Sequence, residues 1–243
     1  MPGARGRNRM IAIDLFCGLG GWAEGFLAQG YGVIGFDIEK RPYPGRLVLQ
    51  DVRTLHGSQF RGAVCIVASP PCQEYSYRAM PWKRAKALPP PSNELFDACF
   101  RIQREACEAA CRYIPMVVEN VRGAQRWVGK AKCHFGSYYL WGDVPALMPF
   151  AIEKKFNPDG TNHPPGSWFK IADSKERGSR VIREKFGIKQ GGEWWHDIQG
   201  LGRFSSRSEA RKQASAVIAK IPYTLAVHIA KVFQNYESAP PHR

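Results

Sequence analysis

Residues Met10–Gly21, which read MIAIDLFCGLGG, decide the fold class. Met10–Phe16 is apolar and predicts a buried strand, and the glycines that follow lead into Gly21–Gln29, which has helical character. Glycines between a first strand and a first helix let the backbone approach a ligand closely. Ala23 occupies the place of the third glycine of G-x-G-x-x-G, so the pattern favours a cofactor without a pyrophosphate. On this motif alone, a dinucleotide site or a simple tight turn stays open.

The strand and helix pattern repeats along the first half of the chain. Strands are predicted over Gly32–Phe36, Val64–Ala68 and Met116–Val118, and Leu95–Arg112 has the 3.6-residue apolar period of an amphipathic helix. This alternation predicts an α/β fold with a doubly wound, mostly parallel sheet and helices on both faces. Gln73–Asn93 is rich in proline and basic residues and is expected to form a long functional loop.

Unusual polar residues follow the predicted strands directly. Asp37 ends the second strand, where a carboxylate can bind ribose hydroxyls. Cys72 follows the third strand behind two prolines, and rigid prolines fix the direction of a thiol, as a nucleophile requires. Glu119 and Asn120 follow the fourth strand. Because ligands of parallel sheets bind beyond the carboxyl ends of the strands, these residues are expected to share one site.

The 243-residue chain has a formal net charge of +14. This basic excess indicates a polyanionic partner, and nucleic acid is the first candidate.

No run of about 18 apolar residues occurs, so no membrane span is expected. No secretory signal is recognised, and the seven cysteines are scattered and odd in number. Free thiols in a reducing compartment are therefore expected, which predicts a cytoplasmic protein of a bacterium or phage-infected host. Metal-ligand spacings are not recognised, so no metal is expected.

Three motifs occur in order: DLFCGLGG at Asp14–Gly21, PPCQ at Pro70–Gln73 and ENV at Glu119–Val121. Together they resemble the DNA (cytosine-5)-methyltransferase family, over residues 10–150 well and over residues 214–233 weakly. The resemblance implies the class I S-adenosylmethionine-dependent methyltransferase fold. It also implies methyl transfer from S-adenosylmethionine to C5 of a flipped-out cytosine in double-stranded DNA. The small size suggests a monomeric, phage-like or orphan member of a DNA-modification system.

The resemblance further implies roles for individual residues. Cys72 corresponds to the nucleophile that attacks C6, and Glu119 to the acid that contacts the N3 side of cytosine. The implied cofactor contacts are Phe16, Gly18, Leu19, Gly21, Asp37, Ile38, Asp51, Val52, Pro71 and Leu95. The implied substrate contacts are Gln73, Ser76, Lys83, Arg84 and Asn120. Ile38 stands where the family often places a tryptophan against the adenine.

Two family features are missing. No Gln-x-Arg-x-Arg motif follows ENV, although Arg122 and Arg126 lie nearby, and Phe135–Gly142 has strand character without an arginine. The last apolar helix keeps Pro222 but lacks the family's preceding Gly-Asn.

Three alternative functions stay open: a tRNA cytosine-5 methyltransferase with the same site, a catalytically impaired DNA-binding relative, and transfer of a group other than methyl. Retention of both catalytic side chains argues against a pure binder.

Composition divides the chain into three expected regions. Residues 1–150 are expected to form the methyltransferase core. Residues 151–213 are polar, glycine-rich and basic with isolated aromatics, and are expected to form a short target-recognition region. Residues 214–243 are expected to supply a C-terminal helix that packs back on the core.

Overall fold

The computed structural model describes residues 10–79, 83–149, 216 and 219–238, with the backbone alone at residue 84 and residues 235–238. Seven strands form one sheet: β1 (Ile11–Leu15), β2 (Gly32–Asp37), β3 (Arg46–Leu49), β4 (Cys65–Ala68), β5 (Met116–Asn120), β6 (Cys133–Phe135) and β7 (Tyr138–Gly142). Their order is β3-β2-β1-β4-β5-β7-β6. Strands β1 to β5 are parallel, whereas β7 is antiparallel to both of its neighbours, β5 and β6.

Helices cover both faces of this sheet. They are α1 (Gly21–Ala28), α2 (Gln73–Arg78), α3 (Lys83–Lys86), α4 (Glu94–Ala110), α5 (Gln125–Val128) and α6 (Tyr223–Ser238). The apolar side chains of α1 and α6 share one buried cluster with the sheet, and α4 belongs to the cluster on the opposite face. The predicted doubly wound, mostly parallel α/β fold is therefore confirmed.

Two local predictions were incomplete. Strand β3 was not predicted, because its four residues are exposed or half-buried at the sheet edge and do not alternate between apolar and polar.

The prediction of a loop over Gln73–Asn93 was incomplete, because the segment contains the helices α2 and α3. Tyr75 is buried within α2, so packing against the core stabilises a helix that the sequence pattern does not reveal.

The contact between α1 and α6 depends on two glycines. A Cβ atom at Gly21 would lie 2.5 Å from the backbone nitrogen of Ile221, and one at Gly25 would lie 2.4 Å from Cβ of Ala226. Any side chain at these positions would push the helices apart. The glycine-rich turn therefore serves helix packing as well as the ligand-binding edge.

All of residues 151–213 lie outside the described residues, as do residues 214–215, 217–218 and 239–243 of the predicted C-terminal region. The predicted division into three regions thus stays a prediction. Within the described ranges, no helix is both long and apolar enough to cross a membrane. In the same ranges, no group of three or more His, Cys, Asp or Glu side chains is arranged to hold a metal ion.

Candidate active site

The strand order reverses between β1 and β4, and the loops that leave these two strands form the candidate site. The glycine-rich loop follows β1, and the loop Ser69–Cys72 follows β4. In doubly wound sheets, ligands bind in the crevice at this reversal point, outside the carboxyl ends of the strands. The first two motifs of the sequence are thereby brought to one edge of the sheet.

Cys72 occupies the N-cap position of α2 and is half-buried. Pro70 before it is buried, and Pro71 is exposed. The carbonyl oxygen of Cys72 accepts the backbone N–H of Ser76 at 2.9 Å. The first turn of α2 therefore fixes the backbone that follows the cysteine. The thiol is therefore carried on a segment restrained from both directions.

Asn120 ties this segment to the end of β5. Its side chain is fully buried, and Nδ2 donates a hydrogen bond of 3.0 Å to the carbonyl oxygen of Pro70. Its Oδ1 accepts the backbone N–H of Val121 at 2.8 Å. The Asn120 side chain thus holds two loops together, and its predicted contact with substrate stays a prediction.

Glu119 lies at the end of β5 and is only 4% exposed. Ala68 of β4 lies opposite Val118 of β5, so the next residues along, Ser69 and Glu119, continue the same register. Glu119 pairs with Leu140 of β7, whose side chain belongs to the cluster beneath α1 and α6. The glutamate therefore projects toward that face, from the strand adjacent to the one that leads to Cys72.

The glycine-rich loop and the end of β2 are joined by the carboxylate of Asp37. Its Oδ2 accepts the backbone N–H of Gly18 at 2.9 Å, and its Oδ1 accepts the N–H of Glu39 at 3.0 Å. Gly18 has φ +48°, and no atom lies within 4 Å of where its Cβ would be. Phe16 also has a positive φ, 57°, which is uncommon for a residue with a side chain. The loop thus has open space beside a fixed carboxylate.

Beyond Asp37, Ile38 is 71% exposed. An apolar side chain in this position gives a flat ring a surface on which to rest. Below the loop, Oδ1 of Asp14 is buried without a hydrogen-bond partner among the described residues. Its Oδ2 accepts the hydroxyl of Tyr43 at 3.1 Å. Burial, and less strongly the charge of Asp37, raise the pKa of Asp14 to about 8 against the lowering effect of that hydrogen bond.

The remaining predicted cofactor residues differ in burial and in the contacts that they make. The carboxylate of Asp51 caps the short 3-10 helix Val52–Thr54 and pairs with Arg53, whose hydrogen bonds lower the pKa of Asp51. The side chain of Val52 is in the core, and Leu19 and Leu95 are half-buried. Gly21 faces Ile221, so packing alone requires its lack of a side chain.

The predicted substrate residues lie on or near α2 and α3. Gln73 and Lys83 are exposed, and Ser76 is half-buried. The side chain of Arg84 lies outside the described part of the chain. These positions follow Cys72 closely along the chain, and their roles toward a substrate stay predictions.

Sequence reasoning missed two contacts around the site. The indole N–H of Trp22 on α1 donates a 3.0 Å hydrogen bond to Oγ of Ser69, directly before the proline pair. Tyr43 lies against the position where Gly35 lacks a Cβ and reaches Asp14. The partners are 47 and 29 residues apart, so no local sequence pattern pairs them. The only signal in the sequence was the position of Trp22 directly after the glycine-rich turn.

Strands β6 and β7 follow Glu119 along the chain, and β7 pairs with β5. Opposite Glu119 on β7 stands Leu140, and opposite Asn120 stands Tyr139, which stacks on His134 of β6 with ring centroids 5.0 Å apart. Neither strand carries an arginine. The β6–β7 hairpin therefore brings aromatic and apolar side chains beside the end of β5.

Residues 10–126 match the family model of the C-5 cytosine-specific DNA methylases. The matched segment spans slightly less than half of the chain. The match includes the glycine-rich loop, Cys72 and Glu119, and it supports methyl transfer to C5 of cytosine. Members of the family use S-adenosylmethionine. No curated protein gives a significant match to the chain.

Solved structures with a similar fold include several methyltransferases. A putative DNA modification methyltransferase encoded within an E. coli prophage is 23% identical, with a TM-score of 0.36, and the match covers 49% of this chain and 34% of that chain. This chain therefore spans about a third of that protein. The S. pombe Dnmt2 methyltransferase is 11% identical, with a TM-score of 0.48 and coverage of 94% and 99%. Entamoeba histolytica EhMeth is 12% identical, with a TM-score of 0.47 and coverage of 95% and 99%.

The described residues fit the cofactor of the family. S-adenosylmethionine has ribose hydroxyls, a flat adenine ring and positive charge at its sulfonium and ammonium groups. The site offers the carboxylate of Asp37, the exposed Ile38, and a buried carboxyl, Asp14, with one oxygen unmatched among the described residues. Open space at Gly18 leaves room for a ligand against the backbone.

Proposed function

We propose that this methyltransferase modifies DNA, transferring a methyl group to C5 of a flipped-out cytosine through a covalent bond between Cys72 and C6. One observation carries the proposal: Cys72 and Glu119 leave neighbouring parallel strands, and the 3.0 Å bond from Asn120 to Pro70 holds their loops together. A thiol and a carboxyl group carried on neighbouring loops suit attack at C6 and assistance at N3 of one pyrimidine ring.

The proposed cofactor site uses the residues around the glycine-rich loop. Asp37 would bind the ribose, Ile38 would pack against the adenine, and the backbone at Phe16, Gly18, Leu19 and Gly21 would border the methionine part. Asp51, Val52, Pro71 and Leu95 would complete the enclosure. When bound, S-adenosylmethionine supplies an electrophilic methyl group and leaves as a neutral thioether.

The chain's own residues then perform the proton and thiol chemistry. The thiolate of Cys72 forms a bond to C6, and the electron pair of the C5–C6 double bond becomes available at C5. Glu119 donates a hydrogen bond or proton at N3, which stabilises the negative charge that builds on the ring. After C5 has gained its methyl group, the C5 proton passes to solvent water, the C5–H electron pair re-forms the C5–C6 double bond, and Cys72 leaves C6 as a thiolate.

The base has to leave the duplex for this chemistry, because stacking covers both faces of its ring. The segment α2–α3 begins directly after Cys72, and Lys83 on it is exposed. Gln73, Ser76, Lys83 and Arg84 would contact the displaced base or the neighbouring phosphates. The net charge of +14 supports a nucleic-acid substrate, and the DNA methylase family match favours DNA over tRNA.

We further propose that residues 151–213 read the target sequence and that residues 214–243 complete the core. The packing of α6 against α1 supports the second assignment. A recognition region of about 60 residues suits a small phage-type or orphan modification enzyme.

Transfer of tritiated methyl from S-adenosylmethionine to unmodified duplex DNA tests the reaction. Wild-type protein should label DNA, and Cys72→Ala should lose the activity by at least about a thousandfold, because the nucleophile is gone. Cys133→Ala is the matched control, since Cys133 is also a half-buried cysteine. Label on tRNA and none on DNA would assign the alternative substrate.

DNA that contains 5-fluorocytosine tests the covalent step. Fluorine at C5 cannot leave as a proton does, so the Cys72–C6 bond should persist after methyl transfer. A denaturation-resistant protein–DNA adduct is expected for the wild type and for Cys133→Ala, and none for Cys72→Ala. An adduct that survives the Cys72 substitution would contradict Cys72 as the nucleophile.

A further inference from the structure

We propose that a basic strip beyond the catalytic glutamate, formed by Arg122, Arg126, Lys130 and Lys132, binds the phosphate backbone of duplex DNA beside the target cytosine. The inference rests on the proposed function and adds a surface to it. Between Glu119 and Asp143 the chain has these four cations and no acidic residue. All four side chains are exposed, and none has an ion-pair partner among the residues that the structure describes.

The basic strip is attached directly to the cysteine loop. Gly123 packs so closely on α2 that its Cβ would lie 2.9 Å from the carbonyl oxygen of Tyr75 and 3.0 Å from Cβ of Ala79. Asn93, directly before α4, donates from Nδ2 to the carbonyl oxygen of Trp127 at 3.0 Å and accepts the hydroxyl of Tyr75 at 3.0 Å. The segment that carries the strip is therefore fixed against the helix that begins at Cys72.

Local contacts also hold the strip in shape. The guanidinium of Arg126 lies over the ring of Trp127, 5.2 Å from its centroid, which restricts the arginine and leaves its N–H groups exposed. The indole N–H of Trp141 donates to the carbonyl oxygen of Gly129 at 3.0 Å, so the turn between Arg126 and Lys130 is anchored to β7. Ordered cations lose less conformational freedom on binding than cations on a free loop.

Charge and position together identify the ligand as DNA. Exposed cations that keep no acidic partner in the described ranges favour a polyanion, and duplex DNA presents one phosphate charge per about 1.7 Å of its axis. A cytosine that reaches Cys72 remains joined to a backbone on both sides, and that backbone has to pass over the surface next to the cysteine loop. By contrast, Arg78 on α2 pairs with Glu74 and binds the carbonyl oxygen of Pro89, so it is less available.

Salt dependence of binding tests the strip in the full-length protein. We would measure the Kd for a fluorescein-labelled duplex by anisotropy between about 50 and 200 mM KCl. The triple variant R126Q/K130Q/K132Q should reduce the slope of log Kd against log salt by about 2 to 3, because each phosphate that the protein no longer neutralises lowers the slope by about 0.9. Arg126→Lys keeps the charge and should retain nearly the wild-type slope.

Lys231→Gln is the matched control, because Lys231 is exposed on α6, which packs against α1 rather than against α2. It should leave the slope unchanged. Circular dichroism checks the fold of each variant, and if the triple variant does not fold, the single variant Lys130→Gln should still lower the slope by about 1.

Methyl transfer by the wild type separates failure of the strip from failure of the proposed function. Wild-type methylation of DNA with an unchanged slope in the strip variants would overturn the strip and leave the function intact. If the wild type methylates tRNA and no DNA, DNA is neither the substrate of the active site nor the ligand of the basic strip. Reduced slopes in the strip variants, with DNA methylated by the wild type, would support both.

Discussion

At the scale of single residues, Asp14 is a carboxyl group whose surroundings favour its neutral form. Its side chain is completely buried, and this burial is the main cause that raises its pKa from 3.8 to about 8. The folded state therefore binds one more proton than the unfolded chain between these two values. Because the native state holds the extra proton, the free energy of unfolding should fall as the pH rises from about 4 to about 8.

Asp14→Asn should remove this contribution. For the wild type, Asp14 contributes a decrease of up to about 1.4 kcal/mol per pH unit in the free energy of unfolding, the value for one proton. Urea denaturation at pH 5, 6 and 7 measures the slope. Asp97→Asn, which changes an exposed aspartate on α4, is the control and should keep the wild-type slope. Equal slopes for Asp14→Asn and the wild type would show that Asp14 is charged in the fold.

At the scale of elements, the close approach of α1 and α6 connects the glycine-rich loop to the C-terminal helix. Gly25 allows this approach, since its Cβ would lie 2.4 Å from Cβ of Ala226. The same helix α1 reaches the cysteine loop through the bond from Trp22 to Ser69. A shift of α1 would therefore disturb the glycine-rich loop and the cysteine loop together.

Gly25→Ala should destabilise the protein by about 1 to 3 kcal/mol, the usual cost of forcing extra volume into a packed contact. In a helix interior, alanine is normally more favourable than glycine. A loss of stability would therefore come from the contact with α6. Urea denaturation measures the change. Gly62→Ala is the control, because no atom lies within 4 Å of the added Cβ. A Gly25→Ala protein as stable as the wild type would show that α6 can move away at no cost.

At the scale of the whole molecule, described residues before the proposed recognition region contact described residues after it. The hydroxyl of Tyr138 donates to the carbonyl oxygen of Lys220 at 3.1 Å, and His228 lies 2.8 Å from the carbonyl oxygen of Leu147. The described residues on the two sides of this region are therefore packed against each other.

Replacement of residues 151–213 by a short Gly/Ser linker should leave a folded core that still binds S-adenosylmethionine and has lost sequence preference for DNA. Thermal unfolding, calorimetric titration of the cofactor, and methylation of duplexes with different cytosine contexts measure the three properties. The full-length protein is the control. Failure of the shortened chain to fold would place these residues in the core and contradict the proposed division.

The sequence by itself determined the α/β class and the positions of Cys72, Glu119 and Asp37 at strand ends. Apolar periods and strand-end motifs are local, so they can be read along the chain. Helices α2 and α3 could not be predicted in this way, because tertiary packing, such as the burial of Tyr75, stabilises them. The four-residue edge strand β3 was too short to give a pattern.

Only the tertiary structure decided what several motif residues do. Asn120 bonds to Pro70 across 50 positions, and Gly21 of α1 meets Ile221, two residues before α6. The tertiary structure also decided that the segment with the cations after Glu119 lies against the helix that begins at Cys72. These contacts join residues far apart in the chain, and their existence depends on how the sheet orders its strands and which helices close over it. Local sequence preference carries no information about such distances.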